Sequence, residues 1–299
     1  MKRRLCLAAI AFLVALTGAA CSGGDEPAPS GDDAKQSDAG SFDEPFTDVA
    51  AYPVFVNSEI VRGENRFLIG LLNDEDAPIA APDVDMHVAF YDLAESDERP
   101  AFETDAEFVD AGPRGLYVTY PEFDSTGRWG AEVTVSGPDL DETERASFEV
   151  TAKAATPAIG EPAPKSKTPT AGDAKLSEIS TDEKPDPRFY ESSVADAIAR
   201  GVPFVVTFAT PKFCSSAVCA PTLDIVKKVS KDWPQVEFIH VEVYSNLDDP
   251  GNLKPVPAVR EWKLPSEPWV FVVDGDGKVA AKFEGTLSPQ ELDETLEGL

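Results

Sequence analysis

The chain has 299 residues, 42% of them hydrophobic, which is long enough for two modest domains that each bury a core. Its 54 acidic and 26 basic side chains give a formal net charge of −28. Nucleic acid and anionic lipid would repel such a chain, so we expect no nucleic-acid partner and a strongly solvated surface.

The N-terminus carries the pattern of an export signal. Residues 1–4 are positively charged, residues 5–16 form an apolar run, and small residues follow. The apolar run is shorter than the roughly 20 residues that cross a bilayer. We therefore predict a signal peptide over residues 1–20.

Cys21 follows small residues and precedes a polar segment, which resembles a bacterial lipoprotein signal. The resemblance implies that Cys21 carries a lipid and that the protein lies on the outer face of the bacterial cell membrane. Gly18 stands where that family prefers a large aliphatic residue. An ordinary secretory signal, with a secreted or periplasmic protein, is therefore the alternative.

The next two segments differ sharply in composition. Residues 21–47 are rich in Gly, Ser, Ala, Asp and Glu, which predicts a disordered tether. Residues 48–153 alternate apolar and polar residues between frequent turns, which indicates an all-β, immunoglobulin-like sandwich of six or seven strands. The best candidate strands are residues 54–56, 67–72, 84–91, 116–120, 130–135 and 146–151.

Met86 and His87 are the residues of this segment that a copper site could use. Neighbouring residues on a strand point to opposite faces, and the segment holds no second histidine. We expect no metal site there, and a spacing or partner-binding role for the sandwich.

Residues 154–187 are rich in Pro and Ala and predict an extended, semi-rigid linker. Helix and strand patterns alternate from residue 188 to residue 299. The predicted helices are residues 194–200, 221–233, 256–262 and a last helix opened by Ser288 and Pro289. The predicted strands are residues 204–208, 236–243, 269–273 and 278–283.

Two cysteines follow the apolar strand at 204–208. Cys6 is expected to leave with the signal and Cys21 to carry lipid, so Cys214 and Cys219 should pair in an oxidising compartment. Residues five apart on an ideal helix lie about 8.7 Å apart, beyond disulfide reach. We therefore expect Cys214 in a loop and a helix beginning near Cys219 to Pro221, whose free N–H groups favour a thiolate.

The order of strand, cysteine pair, helix, strand, helix, hairpin and helix resembles the thioredoxin-like superfamily over about 110 residues. The resemblance implies an α/β thioredoxin-like domain over residues 188–299 and a cis-proline beside the pair. Pro268, after Glu267 and before the strand at 269–273, occupies the place of that cis-proline. It also implies Cys214 as nucleophile and Cys219 as resolving cysteine.

Glu267 and Phe213 are the possible auxiliary residues of this site. The chain departs from the family in three respects. Phe213 stands before the first cysteine where the family has Trp. Four residues rather than two separate the cysteines, and Thr207 stands where many relatives carry a buried carboxylate on the strand before the motif.

The resemblance implies thiol–disulfide exchange with exported protein thiols or disulfides and a redox partner, without a cofactor. One alternative is a non-enzymatic binding or structural lipoprotein whose Cys214–Cys219 disulfide is only a staple. A second alternative is copper delivery, because copper-chaperone relatives use two cysteines and a histidine. Their cysteine spacing differs and His240 lies within a predicted strand, so we predict no metal ligands.

Overall fold

The computed structural model of the chain describes residues 40–110 and 115–299. The predicted signal peptide, Cys21 and the tether up to residue 39 lie outside the described residues. The last part of the predicted disordered tether, residues 40–47, is instead ordered, because Phe42 is buried against Tyr91 and Phe46 stacks on Tyr52. The described residues belong to one compact unit, in which we distinguish a β region (residues 51–151) and an α/β region (residues 154–299). None of the helices in the two described ranges is long and apolar enough to cross a membrane.

The β region is built from antiparallel strands, some of which bury nearly alternate side chains and one of which is buried along most of its length. In chain order they are β1 (Ala51–Phe55), β2 (Gly63–Glu64), β3 (Phe67–Asn73), β4 (Asp85–Asp92), β5 (Phe102–Val109), β6 (Leu116–Thr119), β7 (Glu122–Phe123), β8 (Gly127–Gly137) and β9 (Leu140–Val150). In the described part of the chain, β2 pairs with β7, and the other seven strands form one sheet in the order β1-β3-β6-β5-β4-β8-β9.

The seven-stranded sheet curls around an aromatic core, so that its first and last strands approach each other. The rings of Phe55 in β1 and Phe148 in β9 have centroids 5.4 Å apart. Phe67, Phe90 and Phe123 are fully buried between them. The predicted antiparallel β architecture is confirmed, with β5 as a strand that the sequence analysis did not predict.

The α/β region has a four-stranded sheet in the order β11-β10-β14-β15. Strands β10 and β11 are parallel and the other neighbours are antiparallel. The strands are β10 (Phe204–Ala209), β11 (Glu237–Glu242), β12 (Tyr244–Ser245), β13 (Lys254–Pro255), β14 (Trp269–Val273) and β15 (Val279–Glu284). The helices are α1 (Leu176–Ile179), α2 (Val194–Arg200), α3 (Cys219–Val229), α4 (Pro257–Glu261) and α5 (Pro289–Glu297), with 3₁₀ turns at Pro187–Tyr190 and Pro250–Asn252.

The sequence explains these elements well. Every residue of β10 and β14 is buried, which matches their continuous apolar runs. The Ser193 side chain accepts the N–H of Asp196 at the start of α2, and Gly201 ends that helix with a left-handed φ of 66°. Ser288 begins α5 in a capping box with Glu291, as the Ser-Pro signal predicts.

Residues 154–187 run along the α/β region. Within this segment the N–H of Gly160 donates to the carbonyl of Val279 at 2.8 Å, and the N–H of Val279 donates to the carbonyl of Glu161 at 3.0 Å. Ala163 and Ser166 are buried. The segment therefore contributes side chains to the core and forms α1.

Candidate functional site

The Cys214–Cys219 disulfide lies between the end of β10 and the start of α3. The two Cα atoms are 6.0 Å apart, a usual disulfide separation. Cys214 lies in the loop, Ala217 reverses the chain with a φ of 62°, and α3 begins at Cys219. The predicted disulfide is confirmed. Pro221 is the third helical residue rather than the first, which is tolerated because the first four N–H groups of a helix have no intrahelical partner.

The two cysteines differ in exposure. Cys219 is fully buried at the first position of α3, whereas Cys214 is half-buried and its Sγ lies 3.2 Å from the hydroxyl of Ser216. An attacking group from solvent therefore reaches Cys214 first. The free N–H groups and dipole at the start of α3 favour negative charge on Cys219, the sulfur that such an attack releases.

Phe213 lies beside the disulfide on the loop. It is half-buried, and its N–H donates to the carbonyl of Thr210 at 3.3 Å. The ammonium of the exposed Lys212 lies 5.4 Å from the centre of its ring, within cation–π range. These contacts order the loop just before Cys214 and leave part of an aromatic surface next to the pair.

The peptide bond between Glu267 and Pro268 is cis, as the sequence analysis predicts. Pro268 is buried and leads into β14, whose first residue pairs with Phe208 near the end of β10. Pro268 and the cysteine loop therefore lie at the same end of these two strands. The carbonyl of Pro268 accepts the N–H of Gly285 at 2.9 Å. The carbonyl of Gly285 in turn accepts the hydroxyl of Thr222, on α3, at 3.4 Å.

Glu267 and Tyr244 are titratable groups with raised pKa values near this end of the sheet. Glu267 is half-buried, and burial raises the pKa of its carboxyl group. Burial also raises the pKa of Tyr244, and the nearby charges of Glu267 and Glu242 add to that rise. The ionised forms of Glu267 and Tyr244 are therefore both disfavoured.

Glu242 is the acidic residue that the sequence analysis missed. It ends β11, pairs in register with Ala209 of β10, and is 4% exposed. The N–H and hydroxyl of Thr181 donate to Oε2 of Glu242 at 2.8 and 2.7 Å. Burial raises the pKa of Glu242, and the hydrogen bonds from Thr181 offset part of the rise.

Glu242 is connected to the cysteine loop through Thr181, whose hydroxyl accepts the backbone N–H of Lys212 at 3.2 Å. Thr207, on the strand that precedes the cysteine loop, is buried and uncharged. The sequence indicates Glu242 only as the second acid of the strand pattern 236–243, near its carboxyl end.

His240 is a buried core residue whose two ring nitrogens are both hydrogen-bonded. Nε2 lies 3.1 Å from the carbonyl of Ala209, and Nδ1 lies 2.7 Å from the hydroxyl of Tyr190. A carbonyl can only accept, so Nε2 carries the proton and Nδ1 accepts from the tyrosine. Burial lowers the pKa of His240 to about 4, so the ring is neutral near pH 7. Binding a metal would require breaking one of these bonds.

His87 and Met86 point to opposite faces of β4, as predicted: Met86 is buried and His87 is exposed. The ring of His87 lies 2.8 Å from Asp105 and 3.4 Å from Glu103 on β5. The hydrogen bond with Asp105 raises the pKa of His87 although burial opposes it. Across residues 40–110 and 115–299, no three His, Cys, Asp or Glu side chains are grouped so that they could hold a metal ion.

No protein-family model and no curated protein matches the chain. Among solved structures, a β-glucuronidase from Parabacteroides merdae matches 34% of this chain at 19% identity with a TM-score of 0.24. This chain spans only 13% of that enzyme's length. The Lin-41 filamin domain matches 35% of this chain and 95% of its own length, at 12% identity with a TM-score of 0.22. These likenesses are too slight to assign a fold or a function.

Proposed function

We propose that the chain is an exported thiol–disulfide oxidoreductase, anchored in the membrane by a lipid on Cys21. In this proposal residues 188–299 form a thioredoxin-like domain and the β region is an immunoglobulin-like sandwich. The order β11-β10-β14-β15, the disulfide between β10 and α3, and the cis bond before Pro268 support the thioredoxin-like assignment. The proposed partners are protein thiols or disulfides outside the cytoplasm and a dithiol protein that restores the reduced pair.

The proposed exchange has two steps. The Cys214 thiolate attacks one sulfur of a partner disulfide, so that a mixed disulfide forms and the partner's other sulfur leaves as a thiolate. The Cys219 thiolate then attacks Sγ of Cys214 and releases the partner's second sulfur as a thiolate. The partner disulfide gains two electrons, and Cys214 and Cys219 lose two as their disulfide forms. The reverse sequence oxidises a partner dithiol.

The observation that carries the proposal is the unequal exposure of the two cysteines. Cys214 is within reach of a macromolecular partner, and Cys219 is buried at a helix start that favours its thiolate. A disulfide that serves only as a staple needs neither property. Glu242 adds a buried acid with a raised pKa, connected to the loop through Thr181, which can exchange a proton near the pair.

The reduction potential of the Cys214–Cys219 pair tests the proposal. The full-length chain is equilibrated with glutathione or dithiothreitol buffers, and the oxidised fraction is measured by thiol alkylation. We expect a potential well above about −300 mV and exchange in native buffer. A lower potential, with exchange only in denaturant, would show that the disulfide is a structural staple.

Trapping gives an independent test of the roles of the two sulfurs. We expect the Cys219→Ser variant to retain partners as mixed disulfides on Cys214, because the resolving sulfur is absent. The matched Cys214→Ser variant leaves only the buried Cys219 and should retain far less. Equal trapping by both variants would contradict the assignment of Cys214 as the nucleophile.

A further inference from the structure

The end of strand β15 connects the β region to the loop that carries Pro268. Glu284, the last residue of β15, is 9% exposed. Both of its carboxylate oxygens accept the backbone N–H of Ser58, which belongs to the β region, at 3.1 and 2.9 Å. The hydroxyl of Ser266 donates to the same carboxylate at 2.8 Å. One buried carboxylate therefore bonds to both regions.

Ser266 holds the segment around the cis bond. It lies two residues before Pro268, and its hydroxyl accepts the indole N–H of Trp269 at 3.1 Å. Trp269 is also the register partner of Glu284 in the sheet. Glu284, Ser266 and Trp269 thus contact one another in a ring next to the peptide that precedes β14.

Gly285 extends the connection to the helix that begins at Cys219. Its N–H donates to the carbonyl of Pro268, and its carbonyl accepts the hydroxyl of Thr222 on α3. Its φ of 69° favours glycine, and a Cβ placed there would lie 3.8 Å from Leu68 of β3. The β region therefore packs directly against the residue that joins the cis-proline segment to α3.

We propose that the β region positions the redox site through Glu284 and Gly285, with Glu284 acting as a positioning residue. This rests on the proposed function, because positioning matters only if the disulfide exchanges. The β region holds Glu284 through the Ser58 amide, Glu284 holds the segment 264–268 through Ser266, and Gly285 transmits the arrangement to α3. The β region is accordingly part of the oxidoreductase and more than a spacer.

A second contact between the regions provides a control that leaves the Glu284 carboxylate untouched, although its Arg66 also donates to the backbone carbonyl of Glu284 at 3.3 Å. The guanidinium of Arg66 forms two hydrogen bonds with Glu291 of α5, at 2.5 and 3.1 Å. The hydrogen-bond partners of the Glu291 side chain are Arg66, Tyr120 and the backbone of Ser288, all outside segment 264–268. Glu291→Ala therefore weakens the contact between the regions without removing a bond to that segment.

The experiment compares Glu284→Ala, Glu284→Gln and Glu291→Ala in the full-length chain with the Cys214–Cys219 disulfide formed. Hydrogen exchange of the Gly285 amide, which donates to the carbonyl of Pro268, reports the order of the segment. The second-order rate of reduction by dithiothreitol reports the accessibility of the disulfide. For Glu284→Ala we expect amide exchange at least tenfold faster and a reduction rate changed at least fivefold. Glu284→Gln keeps an oxygen acceptor and should stay within about twofold of wild type.

The readouts separate the possible failures. Unchanged amide exchange in Glu284→Ala overturns the positioning role, whatever the disulfide does. Equal effects of Glu291→Ala and Glu284→Ala also overturn it, because they indicate general loosening. A wild-type disulfide that resists native exchange, together with faster amide exchange in Glu284→Ala, refutes the proposed redox function and limits Glu284 to ordering the segment. Glu284→Gln separates loss of the hydrogen bonds from misfolding. If it folds and behaves like wild type, a changed rate in Glu284→Ala reflects the lost bonds.

Discussion

The hydroxyl of Thr181 donates a 2.7 Å hydrogen bond to the buried carboxylate of Glu242. The hydroxyl oxygen of Thr181 also accepts the backbone N–H of Lys212, two residues before Cys214. The segment that precedes α2 is therefore hydrogen-bonded to the cysteine loop. In the same way, the end of β15 is hydrogen-bonded to the Pro268 segment. Both connections depend on a carboxylate that is less than 10% exposed.

Replacing Thr181 with valine should loosen the cysteine loop. The change keeps the shape of the side chain but removes the hydroxyl bond to Glu242, which keeps only the backbone N–H of Thr181, and leaves the Lys212 N–H without its acceptor. We therefore expect a loss of about 1–3 kcal/mol in the free energy of unfolding. Reduction of the disulfide by dithiothreitol should become faster. Denaturant unfolding and reduction kinetics measure both. Thr181→Ser, which keeps the hydroxyl, is the control, and equal losses in the two variants would contradict the role of the hydrogen bonds.

Glu242 should make the protein less stable as the pH rises. Its pKa is higher in the folded chain than the ordinary value of 4.5, so its favourable contribution is complete below about pH 4.5 and is lost as the pH rises through the folded-state pKa. Glu242→Gln is neutral at every pH. Its stability relative to wild type should therefore increase from pH 4.5 to pH 7.5 in urea unfolding experiments. Glu183→Gln, at an exposed position, is the control, and a pH-independent difference for Glu242→Gln would count against this account.

Glu291 should show the opposite pH dependence. Burial alone would raise its pKa, but the hydrogen bonds and charge of Arg66 outweigh burial and lower it. The stabilisation is therefore present above about pH 4.5 and is lost as the pH falls through the folded-state pKa. A double-mutant cycle of Arg66→Met and Glu291→Gln should give a coupling free energy of about 0.5–3 kcal/mol at pH 7. A coupling near zero would mean that the pair does not stabilise the contact between the regions.

Gly201→Ala should destabilise the α/β region by about 1 kcal/mol, because Gly201 ends α2 in a left-handed conformation. An added Cβ would also lie 3.4 Å from the carbonyl oxygen of Gly275. Gly251→Ala is a suitable control, since its nearest contact would be an ordinary 3.6 Å from Asp249. Denaturant unfolding of both variants measures the difference, and equal stabilities would contradict the role of the backbone conformation.

Local patterns in the sequence were sufficient for much of the fold. The apolar runs that became β10 and β14, the caps of α2 and α5, and the need to place Cys214 outside a helix are properties of neighbouring residues. Strand β5 was not predicted, because Glu103, Asp105 and Glu107 alternate with side chains that are only partly apolar. Such a strand faces water on one side, so its polar residues conceal it.

The missed parts of the candidate site are contacts between residues far apart in the chain. Glu242 meets Thr181 across 61 positions, and Glu284 meets Ser58 across 226. No local pattern indicates which distant N–H group a buried carboxylate will accept. The cysteine pair could be predicted because its chemistry lies within six residues, whereas the groups that brace it come together only in the folded chain.

The contacts between residues 160–163 and β15 have a consequence for the sheet as a whole. Strand β15 is an edge strand of the four-stranded sheet. An uncovered edge strand can pair its free N–H and C=O groups with a strand of another molecule. The segment occupies these groups at Val279 and at the preceding Gly277. The connection between the two regions thus covers the beginning of β15, where the strand of another molecule could otherwise pair. Shortening this proline-rich stretch would uncover these groups, so its length is constrained by the pairing at Val279 and Gly277 as well as by reach.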